Sequence, residues 1–358
     1  MAEDFAVKAQ PPTPAWELKT TKPLVHDVST YTTQVTYEDE IEHHASSIEA
    51  VFEDRERLWQ NQWFPVQGAV LELKIGYADA LVTCGKFQID EFGLDGPPDA
   101  FKIKGISAYI TPSMRTHKSR AFENQTLLGI ATTVAKTHDL EVIGAPQDVD
   151  VQLKRMTQKH ETDLQFLQRA ANTYDYNFSI RDKQLVFVPR AYLEAQDAAI
   201  TIRRPPDVEK FSFVHGSHKL YKTATVSYLD SDTKLLTTQT AEETEDIPTG
   251  DELRLPIRAE SGQDALAKAN AGLRGHNRKK RMSSLTVIGD TRLRSGVAIN
   301  VAGFGKFDGK YLIEKSRHTL DRRGGYTTEI EMRHVTAEKP KTGGPQQQVP
   351  IDLLTTTP

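Results

Sequence analysis

One cysteine in 358 residues, Cys84, rules out an internal disulfide, and its place in an alternating apolar segment makes it a strand residue. The expectation is a chain made in a reducing cytoplasm. No stretch approaches eighteen consecutive apolar residues, which excludes a membrane-spanning helix. The start, MAEDFAVKAQPPTP, lacks the basic residues and apolar run of a signal peptide. A basic excess is also missing: the net charge of −4 supplies no field to hold nucleic acid non-specifically. G-x-S-x-G, H-E-x-x-H and Walker-loop patterns are absent. Gly303-Phe304-Gly305 lies between strands with no helix to follow, so it makes no phosphate cradle.

What is present is ordinary for a globular chain, 38% hydrophobic and 26% charged, at a length that allows two or three cores. The organising stretch runs from Pro65 to Ile106. Period-two alternation bounded by Gly, Pro and Asp predicts four short antiparallel strands there. They carry Val70 to Ile75, Ala80 to Val82, Phe87 to Asp90, and Ala100 to Ile106. This stretch has an echo. Gly296-Val297-Ala298-Ile299-Asn300-Val301 repeats Gly68-Ala69-Val70-Leu71-Glu72-Leu73, and Gly309-Lys310-Tyr311-Leu312-Ile313-Glu314 repeats Gly85-Lys86-Phe87-Gln88-Ile89-Asp90. Upstream, Ser284 to Ile288 resembles Ser47 to Val51, with Asp290 and Asp54 following. Three matches in the same order predict a duplicated β domain. Its motif positions are Gly68, Gly85, Lys86, Phe87 and Ile89, then Gly296, Gly309, Lys310, Tyr311 and Ile313.

The fold class expected is therefore mainly β with an α+β insert, two similar tube-type β-barrel domains in one chain. Residues 1–14, with three prolines, read as a flexible arm, and 15–108 as the first barrel. The insert covers 109–200. It holds a helix capped by Asn124 or Thr126, a break at Gly144-Ala145-Pro146, a second helix from Thr162 or Asp163, and a hairpin through Phe178 to Val188. Arg203-Arg204-Pro205-Pro206 marks the boundary of the second barrel, 201–335. It contains a mobile loop at 230–252, which lacks apolar periodicity, and a helix from the Ser261 cap to Arg278. The Pro-, Gln- and Thr-rich tail 336–358 reads as disordered.

Candidate chemistry is sparse. His43-His44 beside Glu40 and Glu42 suggests a metal, but neighbours on a strand point to opposite faces, and a solvated loop fits better. The acids of His160-Glu161-Thr162-Asp163 suit a helix start, where the dipole favours negative charge. The basic run Arg278 to Arg281 ends a helix, where cations are equally well placed. Neither a catalytic residue, a metal ligand nor a cofactor is assigned.

The order strand, GAVLELKIGY, turn, GKFQIDEF and G-x-P-D, followed by QKHETDLQFLQRAANTYDYNFSIRDKQLVFV, resembles the late control gene D protein family. These are the tail hubs of contractile-tailed phages, R-type bacteriocins and related injection systems, akin to the hub part of type VI secretion spike proteins. The resemblance runs from about residue 30 to 335. It rests on Phe64 to Gly68, Gly85 to Asp99, an insert motif of Glu161, Asp163, Phe166 and Leu167, and Gly309 to Glu331. It implies a homotrimer of two tube-like domains per chain, giving six near-equivalent units that meet a six-fold tail tube and a three-fold spike. Its implied partners are a central spike protein, a tail tube or tube-initiator protein, baseplate wedge proteins and a tape measure protein. DNA or cargo would pass without specific binding, in the mature virion or injection particle. No OB-fold follows the second barrel, so a separate spike is expected. Two rivals stand beside this: a cell-wall-binding or cell-wall-degrading baseplate protein acting through 109–200, and a nucleic-acid-binding factor using Arg278 to Arg281.

Overall fold

Alternating apolar and polar positions on both sides of the insert build one fourteen-stranded, mostly antiparallel sheet in a computed structural model. It describes residues 3–4, 13–22, 26–41, 45–66, 68–146, 150–214, 220–229, 234, 236–243, 250–278 and 282–335. The N-terminal part contributes β1 (Glu3–Asp4), β2 (Pro14–Lys22), β3 (His26–Asp27), β4 (Thr32–Glu40), β5 (Ser47–Glu53), β6 (Val70–Tyr77), β7 (Ala80–Asp95) and β8 (Ala100–Ser107). They lie side by side as β4-β5-β8-β7-β6-β2-β3. Alternate residues face a core of Leu18, Val35, Tyr37, Phe52, Leu71, Leu73, Ile75, Phe87 and Ile103. Each such side chain contributes about 1.5–3 kcal/mol by leaving water.

Pro65 to Ile106 thus forms three strands, not the expected four. Ala80 to Val82 and Phe87 to Asp90 belong to one sixteen-residue strand. Gly85, at φ +119°, and a bulge at Leu73/Lys74 bend that strand without interrupting its pairing. The expected flexible arm is also corrected in part. Glu3 and Asp4 pair in parallel with Ile200 and Thr201, and β2 already begins at Pro14. The rest of that arm, His43-His44, most of Arg278 to Arg281 and the tail 336–358 lie outside the described residues.

The insert folds as β9 (Lys118–Thr126), α1 (Leu127–Lys136), β10 (Glu141–Gly144), β11 (Gln152–Glu161), α2 (Asp163–Tyr174), β12 (Tyr176–Arg181), β13 (Gln184–Pro189) and α3 (Arg190–Ala195). Thr126 caps α1 by accepting from the Gly129 N–H. The apolar faces of α1 and α2 meet the β12–β13 hairpin around Ile130, Val134, Phe166, Leu167, Phe178 and Phe187. The polar strands β9 and β11, which pair with each other, carry too few apolar residues to be seen in the pattern.

The C-terminal part holds β14 (Ile200–Arg203), β15 (Val208–Ser212), β16 (Thr223–Leu229), β17 (Leu236–Glu242), β18 (Glu252–Leu255), α4 (Gly262–Arg278), β19 (Met282–Ile288), β20 (Ala298–Ala302), β21 (Gly309–Asp321) and β22 (Gly325–His334). Strand β17 corrects the reading of 230–252 as a loop. Its threonines suit a pleated, half-exposed strand, it pairs antiparallel with β16, and Ala241 is buried in the small core under α4. Ser261 caps α4 by accepting from the Asp264 N–H at 3.2 Å. The two halves meet where β21, beyond Ile313, pairs with β4 from Lys315↔Glu40 to Asp321↔Gln34. One continuous ribbon results, β15-β19-β22-β21-β4-β5-β8-β7.

Candidate functional site

The two glycine-led motifs adopt the same local geometry. Gly68 and Gly296 have φ of +86° and +85°, and Gly85 and Gly309 have +119° and +151°. These are left-handed backbone values that only glycine takes without strain. The ladders coincide pair for pair: Leu71↔Phe87, Glu72↔Lys86 and Leu73↔Gly85 match Ile299↔Tyr311, Asn300↔Lys310 and Val301↔Gly309. The register shifts after Ile89 against β8, and after Ile313 against β22. The hydrogen bonds repeat too. Ile89 N–H donates to Ala69 O at 2.8 Å, and Ile313 N–H to Val297 O at 3.0 Å. Ala108 N–H donates to Lys86 O and Val335 N–H to Lys310 O, both at 2.8 Å. Phe87 and Tyr311 are both buried, whereas the two lysines diverge. Lys86 is exposed, and Lys310 donates to the carbonyls of Glu194 at 2.7 Å and of Gln196.

The upstream echo carries a slip. Ala50 faces Ile103, and Leu285 faces Ile330. Ile103 and Ile330 are equivalent through their hairpins, so Ala50 matches Leu285 and not Val287. A two-residue displacement leaves every side chain on its face, which is why the pattern hid it.

In the insert, Thr162 is the N-cap of α2 and forms a capping box with Gln165, while Glu161 makes a two-pronged ion pair with Arg169 at 2.7 and 2.8 Å. Arg169 thereby holds the Glu161 carboxyl below the usual range. Asp163 does more than suit the helix dipole. Fully buried, it accepts from Lys118 at 2.5 Å, Arg120 at 2.7 Å and Gln158 at 2.9 Å, and lies 2.7 Å from His138 Nε2. Burial raises its pKa, but the hydrogen bonds from Lys118, His138 and Gln158, with the Arg120 charge, outweigh that and lower it. His138 Nδ1 is in turn 3.0 Å from Ser113 Oγ. The line Ser113–His138–Asp163 has the composition of a nucleophile relay. Yet Asp163 already answers two cations and an amide, and the Ser113 hydroxyl is shared with Thr111 at 3.2 Å. The cluster pins β9 and α1 to the start of α2. Sequence reasoning found Asp163 but missed Lys118, Arg120 and His138. The spacing Lys118-x-Arg120, two cations on one face of a strand, was the available signal. Phe166 and Leu167 sit in the insert core, fully buried.

A second buried network joins the insert to the C-terminal half. Arg190 and Arg278 approach Asp175 at 3.7 and 2.8 Å, and Arg190 and Arg333 approach Glu314 at 2.7 and 3.1 Å. Burial raises the pKa of Asp175 and of Glu314, but the arginines prevail and hold both carboxyls low. Arg181 bridges Asp39 on β4, at 3.1 Å, to the Ser295 carbonyl, at 2.9 Å. Burial pushes the Cys84 thiol up to about 12, so it is not a thiolate at neutral pH. Between α4 and the β11–α2 corner lies a cleft of about 530 Å³, where Arg169 and Lys268 are held by Glu161 and Asp264. Among the described residues, no group of three or more His, Cys, Asp and Glu side chains is placed to hold a metal ion.

The outward face of the ribbon carries its own pattern. Lys104 meets Glu91 at 3.2 Å and Lys102 meets Asp95 at 2.5 Å across β8 and β7. Arg317 meets Glu38 at 3.3 Å, and Lys315 lies 3.7 Å from both Glu38 and Glu40 across the junction of the halves. Glu49, Glu53, Glu329 and Glu331 share that face, so carboxylates predominate.

This architecture is a fold shared with several solved structures described as tail proteins. The 43 kDa tail protein of prophage MuSo2 from Shewanella oneidensis matches with a TM-score of 0.69 at 16% identity, over 90% of this chain and 98% of that one. A tail protein from Neisseria meningitidis matches at 0.68 and 14%, over 90% and 96%. A type VI secretion component of E. coli, c3393, described as similar to T4 tail proteins gp27 and gp5, matches at 0.52 and 12%, over 90% and 77%. The chain belongs to the phage tail baseplate hub (GPD) family, whose profile matches residues 111–324. Over 125 residues it is 32% identical to the probable baseplate hub protein of Escherichia phage P2 and 28% identical to that of phage 186. Those matches span 35% of this chain and 32% of each of the two relatives.

Proposed function

We propose that the chain is the subunit of a trimeric hub in a contractile tail, matching a six-fold tail tube to a three-fold central spike. The observation that carries this is the repeated ladder: two halves of one chain, 15–108 and 201–335, present the same hairpin in the same register with the same bulge. In this reading each half is one barrel-type wall unit, so three chains supply six equivalent places to a tube ring. The insert 109–200 braces the pair through Arg181 and Arg190. The ribbon's charged face lines the channel, and its surplus of carboxylates lets DNA or cargo pass without being held. Tube or tube-initiator, spike, wedge and tape measure proteins are the partners, and the baseplate is the mature location. Neighbours in the same fold that are named as VgrG complexes support a place beside a spike.

Light scattering on the purified chain tests the reading. A mass three times the chain's 40.1 kDa is expected, reached alone or on adding the spike protein. A strict monomer under both conditions removes the symmetry argument.

A further inference from the structure

The ribbon has two open edges, and the chain itself contains a template for how they join. At its middle, the second half of β21 pairs antiparallel with β4, Leu320 against Val35, Thr319 against Thr36 and His318 against Tyr37. The repeat assigns an equivalent to each strand. β7 corresponds to β21, with the bulges after Ile89 and Ile313 fixing the offset. β15 corresponds to β4. Val35 faces Ala50 and Phe211 faces Leu285, and both strands break register at the same place, between Thr32 and Gln34 and between Val208 and Lys210.

The equivalent of the β21–β4 junction is therefore a β7–β15 junction, and no described residue fills it. Beyond Ile89, β7 pairs with β8 alone among the described residues, and β15 pairs with β19 alone. The two strands stand at opposite ends of the eight-strand ribbon, so one chain does not bring them together. Exposure marks the same places. His318, Ser316 and Val35 are fully buried at the internal junction, while their counterparts Leu94, Phe92 and Phe211 are 47%, 38% and 46% exposed. Large apolar side chains on an unpaired strand edge are a template for another strand.

We infer that the β7 edge of one copy adds to the β15 edge of a second copy, antiparallel, with Leu94 opposite Phe213, Asp95 opposite Ser212 and Gly93 opposite Val214. The contact is head to tail, so it continues the ribbon from chain to chain and closes when the ring is complete. This rests on the trimer reading and adds its register.

Cysteine pairs read that register directly. Opposed residues on adjacent strands have Cα atoms about 4.5–5.5 Å apart, within disulfide reach. Asp95 and Ser212 are exposed, so the double variant Asp95→Cys/Ser212→Cys keeps its fold. On mild oxidation it yields disulfide-linked species that stop at three chains, whereas Glu91→Cys/Ser212→Cys, displaced along the strand, yields at least tenfold less. Leu94→Glu, at an exposed position of the free chain, weakens association at least tenfold. A protein that associates but cross-links only in the displaced pair, or in neither, overturns the strand pairing and leaves the hub reading standing. A protein that stays monomeric at every concentration, with and without the spike protein, overturns both.

Discussion

His318 sits inside the seam where the two halves join, fully buried and stacked on Tyr37 with ring centroids 5.9 Å apart. Its Nε2 lies 3.1 Å from the Leu293 carbonyl, which only accepts, so Nε2 carries the proton. Nδ1 then accepts from the Tyr326 and Thr328 hydroxyls at 2.9 and 3.1 Å. Burial, assisted by the Arg294 charge, lowers its pKa from 6.5 to about 4 against the smaller pull of Asp39. Between those values the unfolded chain binds a proton that the folded chain refuses. The contribution is complete above pH 6.5 and is lost as the pH falls towards 4. From pH 7 to 4.5 that amounts to about 2.5 kcal/mol. Urea unfolding at both pH values should show the wild type losing about that much more than His318→Gln; equal losses would remove His318 as the cause. Below this window the lowered carboxyls of Asp163, Asp175, Glu161 and Glu314 take over, since their stabilisation disappears as the pH falls through their folded pKa values.

Helix α2 shows what an element gains from charges brought from elsewhere in the chain. Its capping box is local, but Asp163 at its first turn is held by Lys118 and Arg120 from β9 and by His138 beyond α1. Removing one partner of a buried pair costs about 3–5 kcal/mol, but both cations are more than a quarter exposed and regain water. Asp163→Ala should therefore destabilise by about 2–3 kcal/mol in urea titrations, and Ser113→Ala by less than about 0.5 kcal/mol. If Ser113→Ala proved as costly as Asp163→Ala, the cluster would not centre on the carboxylate. The α2 start, the β12–β13 hairpin and the α1 cap were legible in the sequence because each is announced within a few residues. The internal echo was legible because glycine marks positions where φ turns positive. What sequence missed has physical reasons. β9, β11 and β17 bury few apolar residues and resemble loops, while the long β7 read as two strands because a bulge resets its alternation. The Asp163 cluster joins positions 45 residues apart, a distance that periodicity does not span.

At the scale of the whole molecule, the proposed hub reading makes charge on the ribbon decide whether a polyanion slides past it. Glu49, Glu329 and Glu331 stand on the same outward face as Lys104, Lys315 and Arg317, and every one of those cations faces a carboxylate across the ladder. Such exposed pairs contribute only about 0.2–1 kcal/mol each to stability, so their arrangement serves the surface more than the fold. Duplex DNA gains affinity for a protein when lysines and arginines displace its counterions, and here Lys104, Lys315 and Arg317 already lie beside carboxylates. The wild-type chain should therefore show no salt-dependent association with DNA in fluorescence anisotropy between 50 and 200 mM salt. Glu49→Lys/Glu329→Lys/Glu331→Lys changes the face by six charges, sets new cations opposite Lys104, Arg317 and Lys315, and leaves the buried face untouched. That variant should bind DNA at 50 mM salt and lose at least tenfold in affinity by 200 mM. Tight binding by the wild type would mean that the cations lie elsewhere and that the ribbon does not face the passage. A triple variant that folds but remains indifferent to DNA would carry the same meaning, because a wall on the channel side cannot gain six positive charges without being felt by what moves past it.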